Sequence, residues 1–132
     1  MPELRTNNMP FKVGQTITVT GIPDADAADK ISMNFGPNDK DIALHINLQF
    51  STNTVVYNSY EGGVWGQEVF GKGFPFKQGV TFSITITFTF GEFVITLPDD
   101  RTVHFPNRLG GTEYTEFFSD GKIRIESLMV KQ

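Results

Sequence analysis

The sequence predicts an all-β protein built from two packed antiparallel sheets. Strand patterns of five to ten residues follow one another between turn signals, and no stretch keeps a helical period over three turns. The clearest pattern is FSITITFTF at 82–90, where Phe and Ile alternate with Ser and Thr. Such a strand has one face in a core and the other open to solvent or a partner. Ten short strands within 132 residues suit a two-sheet sandwich.

The first five predicted strands lie in the N-terminal half of the chain. Turn signals bound them: Pro23-Asp24 follows the first, Gly36-Pro37 the second and Gly62-Gly63 the fourth. Proline fixes φ, aspartate bonds to nearby backbone, and glycine supplies positive φ. The third strand alternates strictly, with Ile, Leu or Phe at every second position from 42 to 50. These strands are 16–22, 30–35, 41–50, 54–60 and 63–70.

The other five predicted strands follow the same rule. Gly91 separates the sixth from the seventh, and Asp99-Asp100 separates the seventh from the eighth. Gly110-Gly111 and Asp120-Gly121 flank the ninth. These strands are 81–90, 92–98, 101–105, 113–118 and 122–130. The segments FKVGQTITV and KIRIESLMV, near the two termini, are long and alternating, so they are capable of edge pairing with a second chain.

Length and composition indicate one domain, 1–132. A chain of 132 residues buries roughly two thirds of its unfolded surface without disulfides or metals, and it shows no linker or repeat. Cysteine is absent, which removes disulfides, thiol catalysis and thiolate metal sites. The segment MPELRTNNMPFKVG has no apolar signal region, so we expect cytoplasmic synthesis without a signal peptide. No cofactor is expected.

The charge of the chain argues against two classes of partner. The net charge is −4, the pI is near 5.0, and Lys and Arg are scattered singly, so neither nucleic acid nor membrane insertion is expected. The loop with Asp24, Asp26 and Asp29 lacks the glycine and the terminal glutamate of a calcium loop. It is interpreted as a solvated acidic loop, and 38–41 as a charged turn. No metal site is expected.

The candidate binding residues begin on the polar face of the third strand. This face carries His45, Asn47 and Gln49, uncharged hydrogen-bonding side chains where a solvated strand more often carries Lys, Glu or Thr. The next strand adds Asn58. Imidazole and amides match the hydroxyls of a sugar, which both donate and accept. A sugar also has a face of C–H groups that can lie flat on an indole ring, such as that of Trp65, the only tryptophan.

Glu68 lies three positions after Trp65, so a straight strand would send their side chains to opposite faces. A bulge or turn between them, with Gly66 as its site, is required if both serve one ligand.

At these residues the chain resembles the galectins, a family of β-galactoside-binding lectins with a jelly-roll sandwich of two antiparallel sheets. The resemblance covers nearly the whole chain. It rests on the segments LHINLQF (44–50), NTVVYNS (53–59), GVWGQE (63–68), FPF (74–76) followed by Gly79, and HFPNRL (104–109). Within the last segment, His104 is interpreted as structural.

The resemblance implies a site on the concave face of one sheet. His45 and Asn47 are then expected at the axial 4-hydroxyl of galactose, Asn58 at the 6-hydroxyl, Trp65 on the apolar sugar face and Glu68 at the neighbouring sugar. Galactose-containing glycans or glycoproteins are the implied partners. A homodimer paired through strands near the two termini, and export without a signal peptide, are implied too.

Two residues depart from the family pattern. Where that pattern has arginines, this chain has Gln49 and Phe70, and the 51–53 loop is short. Hydrogen bonds to charged groups contribute about 1.5–3 kcal/mol, against about 0.5–1.5 kcal/mol for neutral ones. Losing two such donors is expected to weaken lactose binding on the order of a hundredfold, unless Gln49 recovers part of it.

Three function classes therefore remain, and a lectin is the first. The second is a relative whose vacated site serves a structural or protein-interaction role, and a sugar competition test separates these two. The third is an enzyme, which is disfavoured because glycoside hydrolysis needs two carboxylates and the polar set contains only Glu68. No G-x-S-x-G motif occurs either. A lipid-binding barrel fits poorly, because a row of His, Asn and Gln is a poor lining for an acyl chain.

Overall fold

The computed structural model describes residues 2–27 and 30–132, so Asp29 of the acidic loop lies outside the described residues. The described chain is a succession of β-strands. They are β1 (Pro2–Thr6), β2 (Phe11–Lys12), β3 (Thr16–Pro23), β4 (Lys30–Gly36), β5 (Ile42–Gln49), β6 (Thr54–Glu61), β7 (Val64–Trp65), β8 (Val69–Phe70), β9 (Phe82–Phe88), β10 (Glu92–Thr96), β11 (Thr102–Pro106), β12 (Glu113–Tyr114), β13 (Glu116–Asp120) and β14 (Ile123–Lys131).

The strands form two large sheets. One has seven strands in the order β1-β13-β4-β5-β6-β7, with β8 also paired to β6, and the other has five in the order β11-β10-β9-β3-β14. A small pair, β12-β2, completes the described pairing. All of these pairings are antiparallel. The predicted all-β sandwich of two antiparallel sheets is confirmed.

The core lies between the sheets and is filled by the apolar halves of the alternating strands. In β5, Leu44, Ile46 and Leu48 are fully buried, and β9 buries its apolar residues in the same way. Aromatic rings fill the space at one end, where Phe88 stacks on Phe93 with ring centroids 4.7 Å apart. Because side chains alternate along a strand, burying these residues forces their neighbours onto the outer faces.

The register of the central strands sets which polar side chains meet on the outer face of the seven-stranded sheet. Residues directly opposite one another in antiparallel strands share a face. Three cross-strand rows therefore form over β4, β5 and β6. They are Asn34–His45–Asn58, Ser32–Asn47–Val56 and Lys30–Gln49–Thr54.

The structure differs from the predicted strands at three places. Strands β1 and β2 were not predicted, because β1 lacks alternation and β2 has only two residues. The predicted strand 63–70 is two short strands, β7 and β8, with 66–68 between them. The predicted strand 113–118 is divided at Thr115, and its halves β12 and β13 join different sheets.

Candidate functional site

A cavity of about 340 Å³ lies on the outer face of the seven-stranded sheet. Strands β4, β5 and β6 form its floor, and the segment 65–68 forms one wall. All six sugar-binding candidates of the sequence line it, together with three further residues. The lining consists of Lys30, His45, Asn47, Gln49, Val56, Asn58, Trp65, Gly66 and Glu68.

The imidazole of His45 is held in one tautomer by the buried amide of Asn34. Asn34 Nδ2 donates to Ser32 Oγ at 3.1 Å and to the carbonyl of Phe118 at 3.2 Å. Its Oδ1 therefore accepts from His45 Nδ1–H, at 2.5 Å. Burial lowers the pKa of His45 from 6.5 to about 4, because it disfavours the charged ring. At neutral pH the ring is uncharged, and Nε2 is a hydrogen-bond acceptor.

The two asparagines present amide N–H groups. Asn47 Oδ1 is buried without a partner among the described residues, so Nδ2 is the end of this amide that can face the cavity. Asn58 is buried as well, and its Nδ2 donates to the carbonyl of Gly66 at 3.0 Å. Because an amide nitrogen has two hydrogens, Asn58 keeps one donor for a ligand.

Arg108 fixes Asn58 and the 65–68 segment from outside the cavity. Its Nη1 donates to Asn58 Oδ1 and to Ser59 Oγ, both at 3.2 Å, and its Nη2 donates to the carbonyl of Gln67 at 2.8 Å. A Cβ atom at Gly66 would lie 2.6 Å from Arg108 Nη1 and 2.9 Å from Ser59 Oγ, so a larger residue there would displace the guanidinium from its hydrogen bonds. Arg108 follows β11 of the opposite sheet and therefore ties the two sheets together at the site.

Trp65 is at the rim of the cavity and not in the core. Its side chain is 48% exposed, and its ring lies 4.7 Å from that of His45 and 4.9 Å from that of Tyr60, centroid to centroid. These two contacts hold the indole while leaving ring surface open. The expected break between Trp65 and Glu68 is present, since β7 ends at Trp65 and both residues line the cavity.

The two positions that depart from the family pattern, Gln49 and Phe70, are uncharged, and the nearby Glu68 has no charged partner among the described residues. Glu68 is exposed, and no hydrogen bond or ion pair reaches its carboxylate from 2–27 or 30–132. Within the described part of the chain, the side chain of Gln49 makes one long hydrogen bond, in which its Oε1 accepts from Thr52 Oγ1 at 3.4 Å. Phe70 is 61% exposed and pairs with Val56 across the strand. The lining of the cavity thus contains one carboxylate, that of Glu68, and no arginine.

Sequence patterns did not predict three residues of the site, which are Lys30, Asn34 and Arg108. Lys30 lines the cavity directly opposite Gln49, and its period-two spacing with Asn34 along β4 is the signal that would have found both. Arg108 has no local signal, because its role depends on how the sheets pack. His104 lies elsewhere, exposed on the outer face of the five-stranded sheet, where its Nδ1 bonds to Glu92 Oε2 at 2.9 Å.

Two further findings concern other kinds of site. Among the described residues, no group of three or more His, Asp or Glu side chains is arranged to hold a metal ion. The same part of the chain contains no helix with the length and apolar character of a membrane crossing.

The sequence of the chain matches the model of a known protein family. The model for the galactoside-binding lectins matches residues 3–130. The chain belongs to the galectin family. The jelly-roll sandwich that the sequence resemblance implied is the fold of this galectin, since solved structures of other members superpose on nearly its whole length.

Named relatives agree along the full chain. A β-galactoside-binding lectin of Electrophorus electricus is 45% identical over 127 residues, 93% of each chain. Human galectin-2 is 35% identical over 130 residues, 98% of each chain. Among solved structures, the Dario rerio galectin-1-L2 has a TM-score of 0.92 at 42% identity, covering 96% of this chain and 98% of that one. A congerin II with lactose and MES bound has a TM-score of 0.89 at 33% identity, with 97% and 98% covered.

The buried imidazole makes the stability of this galectin depend on pH. The folded-state pKa of His45, about 4, is below the unfolded value of 6.5, so the unfolded chain takes up this proton first as the pH falls. The stability that neutral His45 contributes is complete above about pH 6.5 and is lost progressively towards pH 4. Denaturant unfolding of the parent and of His45→Gln at several pH values measures this. We expect a smaller loss of stability in the variant over that range, and equal losses would contradict the lowered pKa of the buried His45.

Proposed function

We propose that this galectin is a lectin that binds β-galactosides non-covalently in the cavity on the seven-stranded sheet. The observation that carries the proposal is the grouping of a neutral imidazole, two oriented amides and an exposed indole in one cavity of about 340 Å³. The family model and the lectin names of the relatives support the same class of ligand. A lectin also agrees with the family assignment in being a binding protein and not an enzyme.

The proposed roles follow from donor and acceptor positions. His45 Nε2 accepts a hydrogen from the axial 4-hydroxyl of galactose, and Asn47 Nδ2 donates to the oxygen of the same group. The second N–H of Asn58 donates to the 6-hydroxyl. An analogue that lacks these hydroxyls leaves buried polar groups unpaired, which costs about 1–3 kcal/mol for each group. Selection therefore comes from hydrogen bonding more than from the volume of the cavity.

The indole of Trp65 supplies the apolar half of the proposed contact. Its exposed surface accepts the C–H face of the galactose ring, and its contacts with His45 and Tyr60 reduce the ordering that binding requires. Stacking and the polar contacts together fix the orientation of the sugar. Glu68, whose carboxylate has no protein partner among the described residues, is proposed to accept from a hydroxyl of the next sugar.

Affinity for lactose is proposed to be modest, because neutral Gln49 and apolar Phe70 occupy the positions where the family pattern has arginines. Gln49 is proposed to keep one neutral hydrogen bond to the sugar. Lys30 offers a cation one strand away from Gln49, on the same face. The alternative function, a galectin that has lost lactose binding and serves a structural or protein-interaction role, is favoured by the exposure of Phe70.

Several broader features belong to the same proposal. The whole chain, 1–132, acts as one carbohydrate-recognition domain that needs no cofactor. Its partners are galactose-containing glycans or glycoproteins, which it reaches outside the cell by an unconventional route.

A homodimer is also proposed, from the two sheet edges. The prediction that FKVGQTITV supplies the N-terminal edge is wrong, because this segment runs into β3, an inner strand between β9 and β14. Strands β1 and β14 are instead edge strands, one in each of the two large sheets, and they contact each other on one side of the sandwich. Both edges carry exposed apolar side chains, Leu4 on β1 and Met129 on β14. Unpaired strand edges favour pairing with another chain, and a two-fold axis beside β1 and β14 would join like edges of two copies.

Replacing Trp65 tests the binding proposal. We expect Trp65→Ala to lower lactose affinity at least tenfold, because the stacking surface is lost, while the unfolding temperature changes little, because the side chain is half exposed. Calorimetry with lactose measures the first effect and a thermal melt the second. Trp65→Tyr, which keeps a ring, is the matched control and retains most of the affinity. Equal lactose affinity of the parent and Trp65→Ala would contradict the stacking role of Trp65, and a parent that fails to bind lactose would favour the alternative function.

Light scattering tests the proposed assembly. We expect a mass of about 30 kDa at high micromolar concentration, twice the 14.8 kDa of the chain. A mass of about 15 kDa at that concentration would rule the homodimer out.

A further inference from the structure

Phe70 stands beside the floor of the sugar cavity, on the same face. In the β6–β8 pairing it lies directly opposite Val56, a residue that lines the cavity. Directly opposite residues of antiparallel strands point to one face, with Cβ atoms about 4.5–5.5 Å apart. The phenyl ring therefore continues the surface on which Asn47 and Val56 lie, one strand further out.

The ring of Phe70 is accessible at the protein surface. It is 61% exposed and makes no aromatic contact with another described ring. Phe70 also lines a second cavity, of about 520 Å³, together with residues of 71–72 and 100–103. Covering the exposed surface of a large apolar side chain with an apolar ligand group is favourable, because it removes that surface from water.

Phe70 and Trp65 form a pair of exposed rings along one edge of the site. Trp65 lies opposite Tyr60 and Phe70 lies opposite Val56, so the two rings are four residues apart along β6, roughly 13 Å at about 3.3 Å per residue. The carboxylate of Glu68 lies between them in the chain. A ligand that stacks on Trp65 and extends along β6 in the direction of Val56 therefore approaches Phe70.

We propose that Phe70 is a specificity-determining residue of this galectin. Through Phe70, the protein selects galactosides that carry an apolar group on the anomeric oxygen. This inference rests on the proposed function, because it takes galactose itself to be held by His45, Asn58 and Trp65. A phenyl ring has no hydrogen-bond donor for a sugar hydroxyl. This position therefore favours a ligand that presents C–H or aromatic surface over one that presents hydroxyl groups. Two aromatic rings in contact stabilise each other by more than the area that they bury.

The experiment compares two ligands that differ only beyond the galactose. Methyl β-galactoside and phenyl β-galactoside are titrated separately into the parent protein, and ligand-observed NMR gives the Kd of each. We expect the phenyl compound to bind about three- to tenfold more tightly. In Phe70→Ala the preference falls to within about twofold, while the Kd for methyl β-galactoside stays the same. Phe90→Ala is the matched control, because Phe90 is an 85% exposed phenylalanine at the turn after β9, outside the cavity lining, and its loss leaves the preference unchanged.

The outcomes separate the inference from the proposed function. If the parent binds both galactosides without preference, or if Phe70→Ala keeps the full preference, the inference is overturned and the proposed function stands. If the parent binds neither compound, both fail. Phe70→Arg adds a second check, because it replaces the ring by hydrogen-bond donors: it lowers the phenyl preference as Phe70→Ala does while raising affinity for lactose, whose second sugar offers hydroxyls.

Discussion

The arrangement of the binding site depends on which face of β5 packs into the core. Leu44, Ile46 and Leu48 are fully buried between the sheets, and the period of two along a strand then leaves no choice for the residues between them. A shift of the register by one residue would bury the polar side chains and expose the apolar ones, which is strongly disfavoured. The stability of the sandwich and the direction in which His45 and Asn47 point thus have the same cause.

Orientation within that face comes from two residues outside the cavity lining, the buried Asn34 and the exposed Arg108. Asn34 fixes the tautomer of His45 through three hydrogen bonds, and Arg108 holds both Asn58 and the backbone of Gln67. Arg108 reaches the site from the other sheet, so the packing of the two sheets helps to shape the cavity. A preorganised set of this kind lowers the ordering that a ligand must impose when it binds.

Strict alternation made the fold and the polar row of β5 predictable, because apolar residues at every second position leave one arrangement for His45, Asn47 and Gln49. The break at Gly66 could also be foreseen, from the parity of Trp65 and Glu68. Arg108 could not, since its role depends on contacts between distant segments, and no local pattern encodes them. The N-terminal strands escaped prediction for a related reason, since β1 and β2 form by pairing with β13 and β12 and have little pattern of their own.

The central claim is that galactosides bind the polar face of the seven-stranded sheet. Titration of lactose into isotope-labelled protein, followed by heteronuclear NMR, tests it most directly. The account predicts shifts that saturate for the indole N–H of Trp65 and the side-chain amides of Asn47 and Asn58, with the backbone of Thr18 and Thr85 on the other sheet unchanged. Saturable shifts confined to that other sheet, with the indole and both amides unmoved, would contradict it.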